Sequence, residues 1–138
     1  RCQELYDYIH SLQPQVLVSY KQGVTGTEDY FAPEHRVPSA EDDPLKKGRI
    51  EGPDPNRMFE ICTTMSPGGW SYVRASAGQH LSESDVWSKL SDAGAQGCNL
   101  LLNTGPLPDG SLDPEDVPVL TKIGERIHRE GFPGVAPG

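Results

Sequence analysis

Little in this sequence is basic, and what is basic is scattered. Twelve Lys and Arg stand against twenty Asp and Glu, for a formal net charge of −8, and the sequence pI is about 4.8. A nucleic-acid backbone or an anionic membrane surface would repel such a chain, so neither is expected as a partner. Long apolar runs are missing too; none approaches the ~18 residues that cross a bilayer as a helix. Cysteine is scarce. Cys2, Cys62 and Cys98 are far apart and form no C-x-x-C pair, which offers neither a disulfide framework nor a metal-ligand spacing. The four histidines, His10, His35, His80 and His128, include no i, i+4 pair, so a helical metal site is not expected. There is no P-loop and no G-x-G-x-x-G. A nucleotide cradle has nothing to rest on, and no cofactor is expected.

What is present is an alternation of helix and strand patterns over 138 residues. Leu5, Tyr8, Ile9 and Leu12 recur at helical spacing from the first residues on, with no cap or turn before them. A chain that opens inside an amphipathic helix reads as a piece of something longer. Pro14 ends that pattern, and "QVLVSY" reads as a strand. Residues 21–57 are rich in Gly, Pro, Asp and Glu without periodicity, the length of a functional or disordered loop. "MFEICTTM" is a second strand and "SPGGWSY" a turn. Ser82, with Asp85 three residues on, predicts a capping box for a helix whose apolar face is Val86, Trp87, Leu90 and Ala93. "GCNLLLNTG" predicts a strand buried on both faces. Asp113 and Pro114 then open a last helix with a stripe of Val117, Leu120, Ile123 and Ile127, stopped by Gly131. Alternating strands and helices imply an α/β fold with a parallel sheet, and sites at the carboxyl ends of its strands.

The chemistry-bearing residues gather there. "SYKQGVTGTEDYFAPEH", Ser19 to His35, holds three acids, one lysine and three aromatics. Glu34 follows Phe31, Ala32 and Pro33; it is either a solvated loop glutamate or a carboxyl whose apolar neighbours keep its proton on, as a general acid requires. Glu60 sits mid-strand between Phe59 and Ile61, where an acid is either functional or paired. Trp70 follows two glycines that permit close backbone approach, and is either a core tryptophan or a platform for a sugar's C–H face. Lys21 stands at a strand end, where it is either solvated or placed to meet a carboxylate or a hydroxyl. Glu28 and Asp29 are expected to cap or brace the loop.

Together, "MFEICTTMSPGGWSY" and "GCNLLLNTGPLPDGSL" resemble the α-L-fucosidases of glycoside hydrolase family 29, with "SYKQGVTGTEDYFAPEH" similar to that family's preceding strand and acidic loop. The likeness runs from about Val16 to Gly131. It implies the later half of a (β/α)8 TIM-like barrel, incomplete in this chain, so that residues 1–138 would be the C-terminal part of a single catalytic domain. It also implies a retaining exo-acting enzyme that removes terminal α-L-fucosyl residues. The family's nucleophilic aspartate, in a Trp-x-Asp-Gly-like strand end, has no counterpart in this sequence and would precede Arg1. The acid/base maps to Glu34 in one branch of the family and to Glu60 in another; Glu34 is favoured because its loop can reach over the site. Lys21 falls where many members carry an arginine, and Trp70 matches the aromatic that packs on the fucose methyl face. His35, beside Glu34, is counted with the substrate-binding residues. Phe59 replaces the family's usual Trp.

The expected partner is a fucosylated glycan, and the compartment implied by the resemblance is extracellular, periplasmic or lysosomal. The competing expectation is a carbohydrate-binding or degenerate barrel remnant that holds sugar without cleaving it. Oligomeric state is not legible in the sequence.

Overall fold

The computed structural model describes residues 2–19, 28–32, 34–35 and 58–135. They fall into two units, Arg1–Ile61 and Cys62–Gly138. The content is α/β, as the alternation predicts.

In the first unit, helix α1 spans Cys2–Leu12, but of the expected stripe only Ile9 packs inward. Tyr6 is the buried side chain, flanked by the half-buried Gln3, Ile9 and His10, while Leu5, Tyr8 and Leu12 are 55%, 61% and 69% exposed. The helical spacing fixes a stripe but not which neighbouring stripe packs.

The strand expected over "QVLVSY" is reduced to a single parallel bridge, Ser19 to Tyr30; Tyr20 lies outside the described residues. The reason is local. The Val18 N–H donates to the Asp29 carboxylate (2.6 Å) instead of to a ladder partner, and Val18 accepts from the Asp29 N–H (2.8 Å). The residues that do pair lie further on. Strand β1, Tyr30–Phe31, runs parallel to the start of β2, Met58–Thr64, in the register Tyr30↔Met58 and Phe31↔Phe59.

The second unit begins inside β2, where Cys62, Thr63, Thr64 and then Met65 are buried. A 3-10 turn at Arg74–Ser76 leads to α2, Glu83–Ala95. Its N-terminus carries the expected capping box: Ser82 Oγ accepts from the Asp85 N–H, and Asp85 accepts from the Ser82 N–H. Strand β3, Asn99–Asn103, follows. It is not buried on both faces. Leu102 packs into the core whereas Leu101 is 49% exposed, so one side of β3 meets the apolar cluster and the other faces outward.

Helix α3, Asp116–Glu130, closes the unit. The helix starts two residues later than expected, with Glu115 and not Asp113 at the cap position and no side-chain cap there. Asp113 instead forms the turn before it, its carboxylate accepting the Glu115 N–H (2.9 Å) and its carbonyl accepting from Asp116 and Val117. Val117 departs from the expected stripe and is exposed. The core gathers Met65, Val86 and Ile123, with Leu81, Trp87, Leu90, Val119, Leu120 and Ile127 packed against them. Arg126 lies over the Trp87 ring, 3.7 Å from its centroid, a cation–π contact that covers the indole.

Among the described residues no helix is long and apolar enough to cross a membrane. No group of three or more His, Cys, Asp or Glu among them stands close enough to hold a metal ion.

Candidate functional site: an anchored aromatic turn and two glutamates

The second unit builds a clamp around Trp70. Strand β2 ends at Thr64 and the chain turns through Pro67 and Gly68. Gly69 has a φ of 133°, a conformation that side chains disfavour. The carbonyl of Trp70 then accepts from Asn103 Nδ2 at 2.9 Å. The same amide nitrogen donates to Thr64 Oγ1 at 3.0 Å. Thr64 turns its own hydrogen toward the carbonyls of Asn103 (3.3 Å) and Gly69 (3.4 Å). Because the Trp70 carbonyl can only accept, the amide must present its nitrogen there.

Gly105 completes the clamp. A Cβ at that position would lie 2.8 Å from the Ser71 carbonyl carbon and 2.9 Å from the Tyr72 nitrogen, so the backbone after β3 rests directly on the backbone after Trp70. The turn after β2 and the loop after β3 therefore meet. The Trp70 side chain remains 36% exposed although its main chain is fixed on two sides. That exposure sets Trp70 apart from a fully buried core tryptophan.

These contacts give a stability prediction. Gly105→Ala should cost about 1–3 kcal/mol, because backbone rather than a flexible side chain must yield. Gly124, inside α3, has nothing within 4 Å of a built Cβ. Gly124→Ala should accordingly gain up to about 1 kcal/mol through helix propensity. Urea midpoints of the two variants would separate close approach from backbone entropy.

Behind the clamp lies a buried network that sequence reasoning missed. His80 Nδ1 is 2.6 Å from Asp116 Oδ1, and the Thr104 hydroxyl donates to Asp116 Oδ2 at 2.5 Å. The side chains of His80 and Asp116 are 9% and 1% exposed. The partners are 36 and 12 residues apart, too far for any local pattern. The one signal was an acid in the first turn of α3 and a histidine just before the α2 cap. Burial alone disfavours the imidazolium of His80. The hydrogen bond and charge of Asp116, with the charges of Asp113 and Glu115, outweigh that and raise its pKa above the ordinary 6.5.

A raised folded-state pKa stabilises the fold fully below the unfolded value, and that contribution is lost as pH rises through the folded one. The urea midpoint should therefore fall as pH rises from the ordinary imidazole value of 6.5 through the higher folded-state one. In His80→Asn that part of the slope should vanish.

The first unit holds the carboxylates. Glu34 and His35 follow β1; both are exposed, so the apolar shelter expected around Glu34 does not enclose it among the described residues. His35 has a φ of 62°, a left-handed conformation uncommon outside glycine and most frequent at Asn, Asp and His. Glu60 is half-buried within β2, one residue past Phe59, the last β2 residue in register with β1. Over the residues in register, β1 and the start of β2 run parallel. Glu34 stands three residues beyond the end of β1, whereas Glu60 is four residues short of the end of β2.

Asp29 braces this segment as expected. It accepts from Val18 and from His10 Nε2 (3.1 Å), which also faces the Val16 carbonyl at 3.0 Å. With oxygen acceptors on both sides, that ring nitrogen carries the hydrogen. Glu28 is buried. Lys21 lies outside the described residues. Glu34, His35 and Glu60 thus belong to the first unit and Trp70 to the second.

The profile of the α-L-fucosidase family matches residues 1–131. The chain belongs to the α-L-fucosidase family. Among solved structures, α-L-fucosidase isoenzyme 1 from Paenibacillus thiaminolyticus aligns with a TM-score of 0.74 at 22% identity, over 93% of this chain and 30% of its own. The Thermotoga maritima α-fucosidase gives a TM-score of 0.71 at 24% identity, over 94% of this chain and 26% of that one. A glycoside hydrolase family 29 α-L-fucosidase from Bacteroides thetaiotaomicron gives 0.57 at 28% identity, over 75% and 22%. This fucosidase-family chain thus spans less than a third of the length of those relatives. A comparison with curated protein sequences gave no match.

Proposed function

We propose that residues 1–138 form the C-terminal part of the catalytic domain of a retaining exo-α-L-fucosidase. In this reading they are the later half of a (β/α)8 barrel, and the substrate is a terminal α-L-fucosyl residue of a glycan. The observation that carries the proposal is the anchored Trp70 turn: a part-exposed tryptophan on a backbone fixed by Asn103 and Gly105. Family membership supplies the sugar, and the Thermotoga maritima relative has been solved with fucose. The retaining course is supported by the Bacteroides thetaiotaomicron relative, solved as a trapped covalent intermediate with 2-fluoro-fucosyl fluoride.

Retaining hydrolysis needs a nucleophile and an acid/base. The nucleophile is assigned to an aspartate outside residues 1–138. It attacks the anomeric carbon while Glu34 gives its proton to the departing glycosidic oxygen. Glu34, now a carboxylate, then takes a proton from water, which attacks the same carbon and releases the nucleophile. Trp70 packs against the apolar face of the fucose. Lys21 and His35 meet its hydroxyls or the developing charge. Glu60, held within a strand, is the alternative acid/base.

The test is hydrolysis of an aryl α-L-fucoside by the native-length protein, followed by proton NMR of the first-formed fucose. Release of the α anomer upholds the reading. Release of the β anomer overturns the retaining course, and fucose binding without any turnover favours a sugar-holding remnant.

A further inference from the structure

The clamp around Trp70 rests on a polar trio built on the buried Asp116, and these groups converge from three segments. His80 lies between the 3-10 turn and α2, Thr104 just beyond β3, and Asp116 at the start of α3. Asp116 is wholly buried and uses both carboxylate oxygens, one toward His80 Nδ1 and one for the Thr104 hydroxyl. Thr104 is the residue between the two parts of the clamp. Asn103 before it holds the Trp70 carbonyl, and Gly105 after it lies against the Ser71–Tyr72 backbone. The Met65 N–H donates to the Asn103 carbonyl and the Met65 carbonyl accepts the Leu81 N–H, both at 2.9 Å. The His80–Leu81 segment is therefore tied to the same strand end from the other side.

We propose that His80, Thr104 and Asp116 are positioning residues for the Trp70 turn. They fix the residue that joins the two halves of its clamp, and so set where the indole stands. The effect on sugar binding rests on the reading of Trp70 as the fucose-packing ring; the positioning itself does not. None of the three touches substrate in this scheme. A free carboxylate at Asp116 would face a desolvated pocket, and only the paired hydroxyl and imidazole make that burial tolerable. Losing one partner should shift Asp116, and Thr104 and its two neighbours with it. The groups facing His80 are Asp116, Asp113 and Glu115, all acidic, and Glu115 is itself held by the Gly78 N–H through both oxygens. Deprotonating His80 therefore removes the one positive charge of this cluster and loosens the same joint.

The experiment uses the native-length protein labelled with 5-fluorotryptophan. The Trp70 resonance is assigned by its loss in Trp70→Phe, and that of Trp87, which sits under Arg126, by its loss in Trp87→Phe. Thr104→Val removes the hydroxyl at nearly constant volume, and Thr104→Ser keeps it. Thr104→Val should shift or broaden the Trp70 resonance and leave Trp87 in place, and Thr104→Ser should restore it. With an aryl α-L-fucoside, Thr104→Val should raise KM about tenfold while kcat changes little. The wild-type Trp70 resonance should also titrate with a midpoint above the ordinary imidazole value, and stop doing so in His80→Asn.

An unmoved Trp70 resonance in folded Thr104→Val overturns the inference. So does equal movement of both tryptophans that Thr104→Ser fails to restore, which marks general loosening. A moved Trp70 resonance with unchanged KM upholds the positioning and overturns the sugar-packing reading instead.

Discussion

With a natural fucoside, Glu34→Gln in the native-length protein should lower kcat/KM about 10²–10⁴-fold. With an aryl fucoside bearing a good leaving group the loss in kcat/KM should be far smaller. An activated phenolate departs without a proton, so the first step no longer needs the acid. The second step still needs a base, and kcat should fall until azide is added. Azide attacks the glycosyl-enzyme without base assistance and should yield α-L-fucosyl azide, with the substrate's configuration retained.

The assignment favours Glu34 because it lies three residues past the carboxyl end of β1 and is exposed there. Sites in parallel sheets open beyond that end. The left-handed His35 next to it is a second local sign, since strained backbone gathers at functional positions. Glu60→Gln should slow all substrates alike, without azide rescue. If leaving-group dependence and the azide product attend Glu60→Gln and not Glu34→Gln, the two roles are reversed.

Met65→Ala should cost about 2–5 kcal/mol of stability, read as a lowered urea midpoint. Met65 is fully buried and forms the core with Val86 and Ile123. Truncation removes its contacts and leaves a cavity bounded by two helices and a strand end, none of which can close it alone. Met65→Leu nearly conserves the volume and should cost less than about 1.5 kcal/mol. Equal losses in the two variants would show that shape, and not filled volume, governs this part of the core. Because the backbone of Met65 also joins Asn103 to Leu81, the Ala variant should bind fucose more weakly than the Leu variant.

What could be read in the sequence was what depends on near neighbours. The capping box at Ser82 and Asp85 needs only a few residues of chain, and it formed; Asp113 bonds the turn before α3, whose start fell two residues later than expected. Helix α1 was legible as a helix but its packing face was not. Tyr6, Ile9 and His10 make as regular a stripe as the expected Leu5, Tyr8, Ile9 and Leu12; Ile9 is common to both, and only the rest of the unit chooses which of its neighbours pack. The strand expected at Val16–Tyr20 gave way because the Asp29 side chain, eleven residues on, claimed the Val18 N–H.

β3 looked doubly buried because its leucines are consecutive; which side received cover was a tertiary matter. The site divided in the same way. Trp70 and its glycines announced a turn, and the Asn103 and Gly105 that hold it lay in a motif already singled out. His80, Thr104 and Asp116 did not stand out, since a buried polar trio assembled across 36 residues leaves no periodicity behind. The α-L-fucosidase resemblance was legible from the motifs themselves.

The outward stripe on α1 has a consequence for how the chain behaves in bulk. Leu5, Tyr8 and Leu12, at i, i+3 and i+7, form an apolar ridge on a molecule whose net charge of −8 otherwise keeps copies apart. That repulsion fades as the solution approaches the pI of about 4.8, while the ridge keeps its attraction at every pH. Colloidal solubility should thus be generous at neutral pH and collapse steeply in mild acid. Added salt should deepen the collapse by screening what charge is left.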